Sequence, residues 1–256
     1  MSIAVGNGVS PVFPSSGFGG GSPVRSYAQI LVEDFGANEV WPLVDIASGT
    51  TINAYVNAAR NGTLTGWDLQ NAVGPVPGTL APFGDGTNDI GNVFSASLAG
   101  IGNFNIGSML VWCKMTLAVW GGSAFGIMFE LRTNGAVFTF ITKDNAANRL
   151  YWQHGGTTIQ RPTTNFSTNN WFMVGLSWNN TIPERKAYYN GVQVGATITS
   201  AFNIVTAIDA ATISARIGGT LDLTGHIAYP SVKFGSTWTP TNMLDIYNAA
   251  ATAGPD

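Results

Sequence analysis

Two carboxylates that cut a glycosidic bond flank it roughly 5 to 5.5 Å apart in a retaining enzyme, and alternation can bring such a pair to one face of a strand. The chain has four glutamates, Glu33, Glu39, Glu130 and Glu184, and none forms such a pair with a second acid. Glu33 and Asp34 are neighbours, so alternation sends them to opposite sides of a strand. The two histidines, His154 and His226, come with no G-x-S-x-G elbow, so a Ser-His-Asp triad lacks its nucleophile. Surface or hydrogen-bonded structural roles are expected for both. The function expected is non-enzymatic.

Asp85-Gly86-Thr87-Asn88-Asp89 places two carboxylates and an amide in a tight loop, and Asp222 lies in a loop ahead of a later strand. Such oxygens suit calcium, a hard cation that takes six to eight of them. The same residues form turns through Asx hydrogen bonds, and that reading is preferred here, with no metal expected. Zinc has no Cys or His cluster to hold it. The single cysteine, Cys113, excludes an intrachain disulfide and sits in an apolar run, where it is expected as a small buried hydrophobe.

Sugar recognition would use aromatic rings as stacking platforms beside polar donors and acceptors. Trp67, Trp120, Tyr151, Trp152, Trp178 and Trp238 are available. Trp120-Gly121-Gly122 and Trp152-Gln153-His154-Gly155 lie near expected loops, so Trp120, Trp152 and Trp67 are the glycan candidates. The competing assignment for each ring is the core.

The elements that must position these residues are short strands. Asn170-Trp171-Phe172-Met173-Val174-Gly175-Leu176-Ser177-Trp178 and Lys186-Ala187-Tyr188-Tyr189 read as adjacent antiparallel strands, and Asn190-Gly191 as a two-residue hairpin turn into Val192-Gln193-Val194-Gly195. Trp171 and Trp112 are expected to be buried. Asn61-Gly62 is a second hairpin signal. Residues 27–32 read as a short helix or strand, 41–46 as the first strand of the sandwich, and 75–82 as a loop broken by Gly74-Pro75 and Pro77-Gly78. Further strands are expected near 92–96, 108–119, 125–132, 136–143, 149–154, 157–161, 211–217 and 225–234. Residues 243–251 form the one convincing helix, with Thr241 or Asn242 as N-cap and Gly254-Pro255 as the stop.

The wording of the two strands and their turn resembles the signature of laminin-G-like, concanavalin A-like jelly-roll domains. Pro82-Phe83-Gly84-Asp85-Gly86-Thr87-Asn88-Asp89 is similar to that family's F-x-G-x-x-D segment, and Gly107-Ser108-Met109-Leu110-Val111-Trp112-Cys113-Lys114 to its core strand. Glu39-Val40-Trp41-Pro42-Leu43 with Ser48-Gly49-Thr50 resembles its opening. Ile217-Gly218-Gly219, Gly225-His226-Ile227-Ala228 and residues 238–247 resemble its closing block. The resemblance runs from about residue 27 to residue 250. It implies an all-β jelly-roll sandwich of two antiparallel sheets ending in a short helix. Some relatives with this fold are glucanases carrying E-x-D-x-x-E, a pattern absent here. Many hold calcium, but the family's G-x-I-D-E stands here as Gly225-His226-Ile227-Ala228-Tyr229, so both acids are missing.

Length and turn spacing fit one sandwich domain, residues 27–256, preceded by a Gly/Pro/Ser-rich arm, residues 1–26. In the arm, Val12, Phe13 and Phe18 are candidate anchors on a partner; a flexible linker is the alternative. With 10% charged residues and a net charge of -3, the chain cannot neutralise a phosphate backbone, so nucleic acid is not an expected partner. No apolar run reaches the roughly 18 residues that span a bilayer, and the N-terminus has no secretory signal pattern. A jelly roll of this kind without signal or disulfides fits a bacteriophage virion protein made in the host cytoplasm. The expected function is thus a structural or accessory virion protein, a capsid decoration or a head or tail fibre or spike component, in multiple copies or as a homo-oligomer. The alternative is a carbohydrate-binding module that contacts host or environmental glycans.

Overall fold

The computed structural model describes residues 24–44, 50–133, 137–155, 157–160, 166–200 and 207–256. The arm anchors Val12, Phe13 and Phe18 lie outside the described residues. Residues 24–26, assigned to the arm from sequence, belong with the domain. Ser26 caps the first helix by accepting from the Gln29 N–H and bridges to Gly254, and Arg25 pairs with Asp34 at 2.6 Å.

In chain order the described strands are β1 (Glu39–Val40), β2 (Thr51–Ile52), β3 (Gly62–Thr65), β4 (Asp68–Val73), β5 (Leu80–Asp85), β6 (Ile90–Asn92), β7 (Ile106–Lys114) and β8 (Gly126–Thr133). They continue with β9 (Val137–Lys143), β10 (Leu150–His154), β11 (Thr157–Gln160), β12 (Phe172–Asn179), β13 (Glu184–Tyr189), β14 (Val192–Ile198), β15 (Ala210–Ile213) and β16 (Thr224–Phe234). Among the described residues four α-helices accompany them: α1 (Tyr27–Glu33), α2 (Ala96–Ala99), α3 (Leu117–Gly121) and α4 (Pro240–Ala249). Two antiparallel sheets result. The first runs β14-β13-β12-β7-β16-β5-β4 with β1 beside β16, and the second runs β11-β10-β9-β8-β15-β6-β3-β2. This is the expected jelly-roll sandwich with a short C-terminal helix.

The interior lies between the sheets. Met109, Val111, Phe172, Val174, Leu176 and Trp178 of the first sheet meet Phe129, Leu131, Ile141, Trp152 and Ile213 of the second. Antiparallel sheets commonly leave their other face to water. The first sheet does not. Leu110, Trp112, Met173, Tyr188 and Ala228 on its outward side are buried under Tyr27, Ala28 and Leu31 of α1 and Met243 and Ile246 of α4. Burial on both faces is why β7 and β12 read as almost continuous apolar runs.

The Asn190-Gly191 turn is as the sequence indicates, with φ of 47° and 78°, the left-handed pair that a two-residue hairpin needs. Gly191 has a second reason to be glycine: a Cβ there would lie 2.7 Å from the Leu244 Cα of α4.

Several local readings are corrected. Asn61-Gly62 is no hairpin, because β2 and β3 pair Ile52 with Gly62 across a nine-residue connection, residues 53–61, that contains a 3-10 turn at Ala58–Arg60. Trp41 follows β1 and does not open it, its indole N–H donating to the Arg60 carbonyl. The strand expected at 108–119 ends at Lys114, because Thr116 caps α3 by accepting from the Val119 N–H. The strand expected at 92–96 gives way to α2, capped by Ser95, and residues 80–82 of the expected loop belong to β5. Helix α4 begins earlier than expected. Thr239 is its N-cap in a reciprocal capping box with Asn242, and Pro240 occupies the first turn, where its missing N–H costs nothing. Trp112 is buried as expected, but Trp171 precedes β12 and is only half-buried, its indole N–H donating to the Val73 carbonyl at 2.7 Å.

Candidate functional site

Helices α1 and α4 cover the middle of the first sheet's outward face, and clefts remain around them, at the rim of the sandwich and on the outward face of the second sheet. At the rim, the end of β7, the start of β16 and helix α3 enclose a cleft of about 380 Å3 lined by Phe83, Lys114, Thr116, Leu117, Asn169 and His226 among others. Pairing brings these distant residues together: His226 lies opposite Lys114 of β7 and opposite Phe83 of β5.

His226 is the centre of the cleft. Its Nδ1 lies 3.0 Å from the Pro82 carbonyl and 3.3 Å from that of Ala81. Carbonyls only accept, so Nδ1 carries the proton, and in the neutral ring Nε2 is an acceptor. Burial, with Lys114 nearby, pushes the imidazole below its usual pKa and keeps it neutral. The ring centroid sits 5.1 Å from that of Phe83 and 6.2 Å from that of Trp171. Across the cleft, Asn169 accepts from the Leu117 N–H through Oδ1, leaving its amide nitrogen as a donor, and Leu117 stands exposed at the lip. The arrangement offers apolar faces, an amide donor, an ammonium and an imidazole acceptor within one ligand-sized space.

The acidic loop adjoins the cleft through Thr224, which donates to the Asp85 carbonyl. Asp85, Asp89 and Asp222 do converge there, but each is engaged with backbone. Asp85 accepts from the Thr87 N–H at 2.7 Å, Asp89 from Gly86 at 2.7 Å and Thr87 at 3.2 Å, and Asp222 from Asn88 at 2.6 Å. The Asp85 bond is of the Asx type, those of Asp89 reach back to the N–H groups before it and that of Asp222 comes from a distant loop; together they pin a turn in which Gly86 and Asn88 have positive φ. Burial pushes the Asp89 carboxyl up to about 6, with neighbouring Asp85 adding to the shift and the two N–H donors opposing it. Among the described residues, no group of three His, Cys, Asp or Glu side chains is placed to hold a metal ion.

The glutamates sit in four different elements, each with its own neighbours. Glu33 pairs with Arg25 and Glu184 with Lys186. Buried Glu39 accepts from the Val40 and Val56 N–H groups and pairs with Arg60 at 3.3 Å. Glu130 is buried on the outward side of β8. His154 is buried against Trp178, with ring centroids 4.8 Å apart, and bonds to Thr139 and Asn180; burial drives it down to about 3. It is a structural, neutral histidine.

Of the three tryptophans singled out as stacking platforms, Trp120 and Trp152 are corrected. Trp120 and Trp152 are both 0% exposed, and Trp67 is half-buried against the same interior. Trp120 and Trp152 cannot present a ring face to a sugar without leaving the core. The loops were nevertheless informative: α3, which buries Trp120 inward, carries Leu117 and Val119 on the cleft side. Around Trp152, Tyr151 and Gln153 point the other way, into a pocket on the outward face of the second sheet. His226 was assigned a structural role and missed as a cleft residue, because its neighbours come from strands distant in sequence.

Sheet order and the two packed antiparallel sheets define a jelly-roll β-sandwich. No family model matches the sequence, and no curated protein matches it. Solved structures do. The chain is similar to the receptor-binding domain of botulinum neurotoxin mosaic serotype C/D, with a TM-score of 0.61, 12% identity, and coverage of 83% of this chain and 50% of that one. It is similar to the ligand binding domain of botulinum neurotoxin serotype D in complex with N-acetylneuraminic acid, at 0.58, 13%, 83% and 50%. Trypanosoma rangeli sialidase, in complex with the inhibitor DANA, gives 0.62, 10%, 85% and 34%. The chain thus spans about half or a third of the length of these proteins. At such identity the likeness concerns the fold alone. Among the described residues, no helix is long and apolar enough to cross a membrane.

Proposed function

We propose that this chain is a non-enzymatic recognition module and that the rim cleft around His226 is where it takes a glycan. The observation that carries this reading is the cleft itself: rings of Phe83 and His226 beside the Asn169 amide, the Lys114 ammonium and threonine hydroxyls. Apolar walls with a few convergent polar groups are the usual make-up of a small-ligand site, and sugars present C–H faces and hydroxyls that match both. The sialic acid complex of the botulinum domain adds a fold-level analogy. The four glutamates, engaged separately in ion pairs and buried contacts, support binding over hydrolysis. A glycan array tests the reading, with His226→Ala expected to lose the signal while keeping its melting temperature within a few degrees.

The setting we propose is a bacteriophage particle, in which the sandwich serves as a structural or accessory protein, a decoration or a fibre or spike component. The Gly/Pro/Ser-rich residues 1–26, the low charge and the laminin-G-like wording support this. Particles lacking the protein should take up the full chain. If they take up a chain truncated before residue 24 equally well, the arm has no fastening role.

A further inference from the structure

We propose that the outward face of the second sheet carries a second binding site, separate from the rim cleft, that takes a single sugar ring bearing a carboxylate. Alternation sets this face. Phe129 and Leu131 of β8, Ile141 of β9 and Trp152 of β10 enter the core, so Glu130, Phe140, Tyr151 and Gln153 stand on the other side. A pocket of about 210 Å3 opens there, walled by Phe125, Phe140, Tyr151, Gln153, Leu221 and Arg216. Pockets for drug-sized ligands run from roughly 300 to 1,000 Å3, so this one fits one ring and no more.

The walls specify the ring's chemistry. Phe140 and Tyr151 meet edge to face with centroids 5.3 Å apart, giving two aromatic surfaces set at 86°. Sugar C–H groups pack on such surfaces. The Tyr151 hydroxyl donates to Gln153 Oε1 at 2.6 Å, which fixes the amide and leaves its nitrogen to donate to a ring hydroxyl.

The charge specifies the substituent. Among the described residues Arg216 is the one charged side chain lining the pocket, and its guanidinium is held 4.3 Å over the Phe138 ring. Among the described residues it makes no ion pair within 4.0 Å. Fully buried Glu130 feels its charge, and among the described residues the Glu130 carboxylate oxygens accept no hydrogen bond from a side chain. A planar guanidinium at the mouth of an aromatic pocket recognises a carboxylate in bidentate fashion. Burial raises the Glu130 carboxyl to about 7, against the pull of Arg216 and Arg132. Below that pH Glu130 is neutral, the field of Arg216 is uncompensated, and an anion binds more tightly.

Isothermal titration with glucuronate and N-acetylneuraminate, each against its own methyl ester, tests the proposal. At least one acid should bind at least tenfold tighter than its ester, with the preference growing from pH 8 to pH 6. Arg216→Gln should abolish the preference in a chain that still unfolds cooperatively. Equal affinity for acid and ester, or no binding of either acid, overturns the site, and this comparison needs no variant. A preference that survives in Arg216→Gln also overturns it. If the preference is instead lost in His226→Ala, the acid sits in the rim cleft, which overturns the second site and leaves the first reading standing.

Discussion

The indole N–H of Trp112 donates to the Tyr27 hydroxyl at 3.0 Å, and that hydroxyl donates to the Ile246 carbonyl at 3.0 Å. One buried oxygen thereby joins β7 to α1 and α4, the two helices that cover the first sheet. Tyr27→Phe would orphan a buried donor and a buried acceptor together. It should cost about 1 to 3 kcal/mol in urea unfolding, whereas a surface Tyr→Phe change stays near zero. A neutral result would mean that the helices contribute little to the cover.

Gly175 makes room for α4. A Cβ there would stand 3.1 Å from the Met243 Cε and 3.2 Å from its Sδ. Gly175→Val should therefore destabilise the fold by about 1 to 3 kcal/mol through overpacking, and Met243→Ala in the same chain should return part of that loss. Strict additivity of the two changes would show that they do not meet.

His154 gives the fold an acid limit. Its folded pKa of about 3 lies below the unfolded value near 6.5, so the unfolded chain takes up the proton first. Stability from this group is complete above about 6.5 and falls with decreasing pH, by at most about 1.4 kcal/mol per unit, until about 3. The urea midpoint measured from pH 7 to pH 4 should drop in the native chain. In His154→Gln that slope should be shallower, and an unchanged slope would assign acid sensitivity to other groups.

Calcium should not stabilise the protein. Saturation at a hundred times a dissociation constant would add about 2.7 kcal/mol, a shift of a few degrees. Among the described residues no three acidic, His or Cys side chains are placed to hold a metal ion, and one oxygen of each of Asp85, Asp89 and Asp222 is taken by backbone N–H groups, so no shift is expected with millimolar calcium. A rise in melting temperature that disappears in Asp85→Ala would contradict this.

Local chemistry made some of this molecule readable before its structure. Asn190-Gly191 announces its hairpin because the turn demands positive φ from two adjacent residues, whatever surrounds them. The strands on either side follow from their apolar runs. Which ring faces a ligand was not readable, because a strand residue's side is fixed by register, and a shift of one exchanges core for surface. Trp152 went inward and Tyr151 and Gln153 outward for that reason. The helix α3 was hidden within an apolar run, although Thr116 three residues ahead of Val119 is a cap signal. The rim cleft escaped because His226, Lys114 and Phe83 meet only when β16 settles between β7 and β5. No local pattern encodes that neighbourhood.

The central claim, that the sandwich binds a glycan at its rim, is tested most directly by one glycan array probed in parallel with the native chain and with His226→Ala. The reading expects the native chain to retain defined glycans, and the variant, folded to the same melting temperature within a few degrees, to lose at least tenfold in signal on them. No retention by the native chain, or equal retention by both, would contradict it.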